Sequence, residues 1–320
     1  MRKRPKSASG LLDLYERMLL IRTAETRLGQ MFRDGKIPGF VHLSIGQEAT
    51  AVGVSAALQR DDTVASTHRG HGHALAKGMS PAALINEIVG NADGPCRGQG
   101  GSLHVADFSV GMLGANGIVG AGIPIALGSA LAHKTLGTKR VAAVFFGDGA
   151  LAQGLLYESL NLAALWKLPL LFVCENNGWS EFTPSNLQYA GKLASLAGAF
   201  SVQYRSVDGN DVEAVRNVCE ELVGRLRDGK GPAVLECMTV RVLGHYEGDP
   251  QNYRKGLDEP SRKDPLEVAE RRLRASRLPV GRLDEIKTRV AQTVEAAAAA
   301  ALRGPAPSVE AARNSVYARA

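Results

Sequence analysis

Strand-length apolar segments alternate with helix-length segments between residues 122 and 240 of this chain. The predicted strands are 141–146, 170–174, 202–207 and 233–240, and the predicted helices are 122–136, 151–167, 189–198 and 211–228. Consecutive parallel strands need a crossover of about a dozen residues or more, which a helix usually supplies. The alternation therefore predicts an α/β fold, with a mostly parallel sheet and helices on both faces.

Helical segments flank this alternating region on both sides. Between residues 11 and 34, apolar side chains recur at helical spacing, which predicts an amphipathic N-terminal helix. Residues 35–120 combine short helices with loops rich in glycine and histidine, and the chain beyond a polar loop at 244–263 is predicted to be helical. We expect one domain over residues 11–320, with N- and C-terminal helical extensions.

The charge distribution limits the classes of partner. Four of the six excess positive charges come from the first six residues, namely Arg2, Lys3, Arg4 and Lys6. We expect residues 1–10 to form a disordered basic arm. The remainder is close to neutral, which argues against nucleic-acid binding.

The hydropathy pattern argues against a membrane protein. No segment approaches the roughly 18 consecutive apolar residues that a spanning helix needs, and no apolar stretch follows the basic start as it would in a secretory signal. The four cysteines show neither metal nor redox spacing. These features predict a cytoplasmic protein with reduced cysteines.

Polar residues follow two of the predicted strands. Gly147-Asp148-Gly149 comes directly after the strand at 141–146, and Asn177 lies 29 positions beyond Asp148, after the strand at 170–174. Parallel strands end at the same edge of a sheet, where ligands of open α/β folds bind. A carboxylate and an amide oxygen suit Mg²⁺ or Ca²⁺. The glycines let the backbone approach a diphosphate at a helix beginning near Ala150, so the pattern predicts a phosphate and metal site.

Three other interpretations remain open at this point. Gly147-x-Gly149-x-x-Ala152 also fits a dinucleotide fingerprint, with Glu175 as the ribose acceptor, which would indicate an NAD-dependent oxidoreductase. In that case the Asp148 carboxylate would face a pyrophosphate without a metal between them. The two motifs are alternatively ordinary turns. A zinc site at His68-x-x-His71-x-His73 is disfavoured because no cysteine or carboxylate accompanies it.

Several ordered motifs resemble one enzyme family. The chain resembles the α subunit of the thiamine-diphosphate-dependent E1 component of 2-oxo acid dehydrogenase complexes, the pyruvate and acetoin dehydrogenase group. Besides the motifs around Asp148 and Asn177, the resemblance rests on six segments: 37–40, 45–49, 68–72, 100–104, 114–120 and Asp249-Pro250. It spans about residues 11 to 265 and implies the thiamine-diphosphate-binding fold.

The resemblance implies a set of cofactor contacts. Mg²⁺ would be held by Asp148, Asn177 and the backbone carbonyl of Trp179. The diphosphate would meet the amides of Gly149 and Ala150.

The resemblance also assigns residues outside these two motifs. His68 and Arg69 belong to the first cofactor loop, where Arg69 would contact the diphosphate as a forked cation. Gly117 and Val119 would offer backbone to the aminopyrimidine ring. Catalytic roles fall to His245, in a loop near the diphosphate, and to His71, which would line the substrate side.

The implied reaction is thiamine-diphosphate-dependent cleavage of a C–C bond in a small oxo substrate. The substrate would be a pyruvate-like 2-oxo acid, decarboxylated oxidatively, or acetoin, and the acyl unit would pass to the lipoyl group of an E2 acyltransferase. In the family the activating glutamate lies on a separate β subunit. We therefore expect an α₂β₂ heterotetramer in which this chain is inactive alone.

Some residues depart from the family pattern. His68 stands where tyrosine is frequent, so a ring remains but the phenol hydroxyl is lost. Tyr246-Glu247 follows His245 where a phosphorylated serine often stands, which argues against that regulation and favours the acetoin-cleaving branch. The small residues Gly122, Ala126 and Ala130 suit either a subunit interface or an ordinary buried helix.

Overall fold

The computed structural model describes residues 8–254, 264–276, 278–314 and 316. The first helix begins at Ala8, a few residues before its predicted start. The rest of the predicted basic arm, residues 1–7, lies outside the described residues, as does the stretch 255–263 of the predicted polar loop.

A parallel sheet forms the centre of the molecule. The strands are β1 (Thr63–Ala65), β2 (Met112–Gly114), β3 (Ala142–Gly147), β4 (Leu170–Asn176), β5 (Trp179–Ser180), β6 (Thr183–Pro184), β7 (Gln203–Asp208) and β8 (Ala233–Met238). Within the described ranges, six of them form one sheet in the order β2-β1-β3-β4-β8-β7, while β5 and β6 form a separate antiparallel pair. All pairings in the large sheet are parallel, which confirms the predicted α/β class.

Helices cover both faces of the sheet. They are α1 (Ala8–Arg33), α2 (Glu48–Ala57), α3 (Gly70–Lys77), α4 (Pro81–Ile88), α5 (Gly122–Thr135), α6 (Gly154–Leu165), α7 (Leu193–Ala199), α8 (Val212–Arg227), α9 (Pro265–Ala275), α10 (Arg282–Ala301) and α11 (Val309–Asn314). One core joins the sheet to α1–α4 and α8–α10, and the other joins it to α5–α7. Phe145 of β3 belongs to the first core and Phe146 to the second, as the alternation of strand side chains requires.

The turn after β3 differs from the prediction. Asp148–Ala152 forms a short 3₁₀ helix, and α6 begins only at Gly154, because Gln153 is extended with φ −92° and ψ 132°. Ala150 is therefore not at the start of a long helix. Any anion at this turn meets backbone amides of a 3₁₀ helix, without the full dipole of an α-helix behind them.

The small-residue face of α5 packs inside the chain. Ala126 and Ala130 are fully buried, and a Cβ at Gly122 would lie 3.0 Å from the backbone oxygen of Ser66. This face contacts the sheet, so its prediction as a subunit interface is wrong and the buried-helix alternative is right.

Candidate active site

A cavity of about 300 Å³ opens at the carboxyl edge of the sheet. Its walls come from the loops that follow β1, β2, β3 and β4, together with the segment after β8. These loops meet because parallel strands all end at this edge. The sequence-predicted residues that line the cavity are His68, Arg69, Gly117, Val119, Asp148, Gly149, Ala150, Asn177, Trp179 and His245.

His71 lies away from this cavity. Its side chain is fully buried in α3, with Nε2 at 2.8 Å from Ser102 Oγ and Nδ1 at 3.4 Å from Glu25 Oε1. The structure therefore does not place His71 on the wall of this cavity, where it was expected to line the substrate side. Arg69 occupies the N-cap of α3, so a residue two positions later is already inside the helix and packed against neighbouring elements.

Asp148 presents an unpaired oxygen at the cavity wall. The side chain is 2 % exposed, and Ser185 donates a hydrogen bond to Oδ2. Oδ1 is buried and has no hydrogen-bond partner in the part of the chain that the structure describes. Burial raises the pKa of this carboxyl group, whereas the hydrogen bond from Ser185 lowers it. Buried polar atoms are normally paired, so the free oxygen indicates a place for a ligand.

Asn177 is held beside Asp148 by its own hydrogen bonds. Its Nδ2 donates to Gln47 Oε1 at 2.8 Å, and its Oδ1 accepts the backbone N–H of Trp179 at 3.1 Å. The turn after β3 approaches β5 so closely that a Cβ at Gly149 would lie 2.4 Å from Ser180 Oγ. Glycine is thus required where the two loops meet. The carboxylate oxygen of Asp148 and the amide oxygen of Asn177 are ligand types that fit a hard divalent cation.

Two guanidinium groups lie at the same cavity. Arg69 is 5 % exposed and donates to Leu43 O at 2.7 Å and to His245 O at 2.7 Å. Arg241 is 1 % exposed and donates to Glu181 O at 3.2 Å. Burial and the nearby Arg241 lower the pKa of Arg69 to about 9. Two buried cations facing one cavity indicate an anion site.

Three imidazole rings cluster around these cations. The ring centroids of His42, His68 and His245 lie 4.9–5.3 Å apart. His245 Nδ1 accepts from Arg69 Nη2 at 3.2 Å and from Arg241 Nη1 at 3.3 Å, an arrangement that requires an unprotonated nitrogen. Burial, followed by the charges of the two arginines, lowers the pKa of His245 to about 4.

This cluster predicts an acid-sensitive fold. The pKa of His42 is lowered to about 3 by burial and Arg69, against 6.5 in the unfolded chain. Below pH 6.5 the unfolded state therefore binds more protons than the folded state. The contribution of these histidines to the free energy of unfolding is complete above that pH and is lost as the pH decreases. Each histidine lowers the free energy of unfolding by at most ~1.4 kcal/mol per pH unit, and partial exposure to solvent makes the effect smaller.

Urea unfolding at about pH 5 and about pH 7 measures this effect. The double variant His42→Gln, His245→Gln is expected to lose less stability on acidification than the unmodified chain. The exposed His104 provides a matched control, because His104→Gln removes a histidine outside the cluster. Equal pH dependence in the double variant and the unmodified chain would contradict the prediction.

The three histidines of the His68-x-x-His71-x-His73 motif diverge in the fold. His68 joins the imidazole cluster, His71 contacts Ser102, and His73 contacts Ser66 and Glu175. Among the described residues, no three His, Cys, Asp or Glu side chains are arranged to hold a metal. The structure gives no support to a zinc site here.

Hydrogen bonds and an ion pair hold the loop after β8 in place. Asp249 Oδ2 accepts the backbone N–H of His245 and the hydroxyl of Tyr253, each at 2.6 Å. Glu247 forms an ion pair with Arg33 of α1. The loop histidine therefore has a defined place at the cavity, set by residues on both sides of it.

Comparison with known proteins places the chain in a family. A model described as "Dehydrogenase E1 component" matches residues 16–310. The chain is 44% identical over 312 residues to the α subunit of an acetoin:2,6-dichlorophenolindophenol oxidoreductase of Bacillus subtilis. The matched region covers 96% of this chain and 93% of that protein. This chain belongs to the dehydrogenase E1 component family.

Further relatives agree with this membership. A Cupriavidus necator protein with the same description is 45% identical over 98% of this chain and 96% of its own length. A pyruvate dehydrogenase E1 component subunit alpha of Zymomonas mobilis is 42% identical over 94% of this chain and 86% of its own. The resemblance to E1 α subunits is thereby confirmed. Nothing in these matches favours the NAD-dependent alternative.

E1 membership carries two direct consequences. The family uses thiamine diphosphate, so the chain is part of a thiamine-diphosphate-dependent dehydrogenase. Its relatives are named as α subunits, which implies a partner subunit.

None of the described helices combines the length and apolar character needed to cross a bilayer.

Several residues at the cavity escaped sequence reasoning. His42 and Arg241 line the cavity, and Gln47 fixes Asn177. His42 and Gln47 lie in or beside matched segments, so the pattern of motifs could have pointed to them. Arg241 has no such signal, because an arginine after a strand is common and only packing shows that it is buried.

Proposed function

We propose that this chain is the E1 α subunit that binds the diphosphate of thiamine diphosphate through Mg²⁺ and two arginines. The observation that supports it most directly is the unpaired, buried Oδ1 of Asp148 at a cavity shared with Arg69 and Arg241. A carboxylate here would repel a diphosphate on its own. A divalent cation between them converts the repulsion into a bridge.

The residues present fit the metal and the cofactor. Asp148, Asn177 and the Trp179 carbonyl would hold Mg²⁺, the amides of Gly149 and Ala150 would meet the diphosphate, and Gly117 and Val119 would contact the aminopyrimidine. Thiamine diphosphate, when bound, supplies the nucleophilic carbon for C–C cleavage.

His68, Arg69 and His245 would surround the diphosphate from the other side. Neutral imidazole beside two guanidinium groups suits His245 for hydrogen bonding near neutral pH, and an anion that balances the two arginine charges would bring its pKa closer to the range of proton transfer. We assign His245 the catalytic role and withdraw His71 from it, since the latter is sealed inside α3.

A β subunit would complete the cavity. Ile118 and Val119 lie in a cavity-lining loop, yet they are 68% and 50% exposed. Large apolar side chains beside a binding cavity are expected to be covered in the working enzyme. We propose an α₂β₂ heterotetramer, cytoplasmic and active only with β, that passes its acyl group to the lipoyl group of an E2 acyltransferase.

We propose acetoin as the substrate, with a pyruvate-like 2-oxo acid as the second candidate. The names of two close relatives and the Tyr246-Glu247 segment favour acetoin. The reconstituted αβ protein assayed on acetoin and on pyruvate decides between them. Faster turnover of pyruvate would reject the acetoin assignment while leaving the cofactor site intact.

Asp148→Asn tests the cofactor site. The amide keeps the shape but removes the negative charge, so thiamine diphosphate in the presence of Mg²⁺ is expected to bind at least about 10-fold more weakly. Calorimetric titration of the αβ protein measures this change, and Asp61→Asn, an exposed carboxylate at Arg140, is a matched control. Equal affinity of the Asp148 variant and the unmodified protein would refute the metal assignment.

A further inference from the structure

A serine, a histidine and a glutamate form a buried chain beneath the cavity. Ser66 Oγ lies 2.6 Å from His73 Nδ1, and His73 Nε2 lies 3.2 Å from Glu175 Oε1. The three residues are 2 %, 1 % and 4 % exposed. They come from the end of β1, from α3 and from the end of β4, so only the tertiary fold brings them together.

The two ends of the chain reach the cavity while its centre does not. Ser66 and Glu175 line the wall, and His73 lies behind it. The imidazole is stacked on Phe145 with a centroid separation of 3.8 Å and an interplanar angle of 18°. Stacking and two hydrogen bonds leave the ring a single orientation, which in turn sets the position of the Ser66 hydroxyl.

Ser66 has hydrogen-bonding capacity beyond this contact. A hydroxyl offers one donor and two acceptor sites, and His73 uses one of these three. The backbone N–H of Ser66 is already bonded to Gly114 O at 2.9 Å. The side chain is therefore the group that Ser66 can offer to a ligand in the cavity.

We propose that Ser66 is a further binding residue of the site, whose hydroxyl contacts an oxygen of the cofactor's diphosphate, and that His73 and Glu175 position it. This inference rests on the proposed function, because it needs the diphosphate to occupy this cavity. Arg69, three residues after Ser66, lines the same cavity.

Glu175 has a positioning role in this arrangement. A free carboxylate would repel a diphosphate, but one Glu175 oxygen lies at the His73 ring. The Glu175 charge also favours the cationic form of Arg69, raising its pKa against the effect of burial. Glu175 would therefore support the contacts of Ser66 and Arg69 with the anion without contacting it.

The test uses the αβ protein and two probes, magnesium pyrophosphate and thiamine diphosphate with Mg²⁺, in calorimetric titrations. Ser66→Ala is expected to weaken pyrophosphate binding about 10-fold, the effect of one hydrogen bond to a charged group. His73→Phe keeps the aromatic stacking on Phe145 and removes both hydrogen bonds, so it is expected to cause a similar loss. The double variant is expected to be no weaker than either single variant.

Thr63 offers a matched control on the same strand. Its hydroxyl bonds Ser129 Oγ at 2.7 Å and His133 Nε2 at 3.1 Å, at the end of β1 away from the cavity. Thr63→Val is expected to leave both affinities unchanged. Thermal denaturation of each variant shows that it is folded before it is titrated.

The outcomes separate the two levels of inference. If the unmodified protein binds neither probe, the proposed function and this inference both fall. If it binds them and Ser66→Ala binds equally well, the Ser66 contact alone is refuted. If the Ser66 and His73 losses add in the double variant, His73 does not act through Ser66 and its positioning role is refuted.

Discussion

Replacing Arg69 with methionine is expected to weaken binding of magnesium pyrophosphate to the αβ protein by about 100-fold, the effect of losing a forked, charge-assisted contact. Methionine keeps much of the side-chain volume and removes the charge. Arg69 lies close to Arg241, so its charge is poorly compensated within this chain and a bound anion would balance it. Arg69→Lys retains a charge but not the planar fork, so its pyrophosphate affinity is expected to lie between those of the unmodified protein and Arg69→Met.

The control is Arg227, an arginine that forms an ion pair at the opposite edge of the sheet. Arg227 binds Asp62, whose side chain is fully buried. Arg227→Met is expected to lower the melting temperature without changing pyrophosphate affinity. A loss of affinity in Arg227→Met as large as in Arg69→Met would show that the effect is a general loss of structure.

Replacing Glu87 with glutamine is expected to lower the free energy of unfolding by about 2–4 kcal/mol. The Glu87 carboxylate is fully buried and accepts four backbone N–H groups, those of Cys96, Gly98, Gly100 and Gly101. A glutamine amide has one carbonyl oxygen, so its NH₂ group would face two of these donors. Two buried N–H groups would then lose their acceptor.

Urea unfolding measures this loss, and the exposed Glu158 provides the control through Glu158→Gln. The loop whose backbone Glu87 holds also contains Leu103, which lines the cavity. Cofactor affinity is therefore expected to fall together with stability. Unfolding free energies that agree within about 0.5 kcal/mol for the two variants would contradict the role of Glu87.

The fold was predictable where strands are long and apolar. β3 and β4 are buried on both faces, so their continuous apolar sequence identifies them without knowledge of their partners. β1 and β2 each have three residues, too few to show periodicity, and they were not predicted. Their strand conformation depends on pairing with β3 and with each other.

The site was predictable in part for the same reason. The position of Asp148 and Asn177 after consecutive strands implied that they share an edge of the sheet, and the cavity contains both. His71 was misplaced because sequence order within a loop does not show which side of a short helix faces the ligand. Arg241 reaches the site from the segment after β8, and the place of β8 beside β4 is set by the order of strands in the sheet.

The sequence by itself determined the class of fold, the family and the placing of Asp148 and Asn177 at one edge of the sheet, because these depend on local periodicity and on short ordered motifs. The tertiary structure alone decided which buried charges and hydroxyls share the cavity: Arg69 with Arg241, and Ser66 with His73 and Glu175. The cause is physical. Buried polar groups must find partners, and those partners come from elements distant in sequence that the parallel sheet brings to one edge.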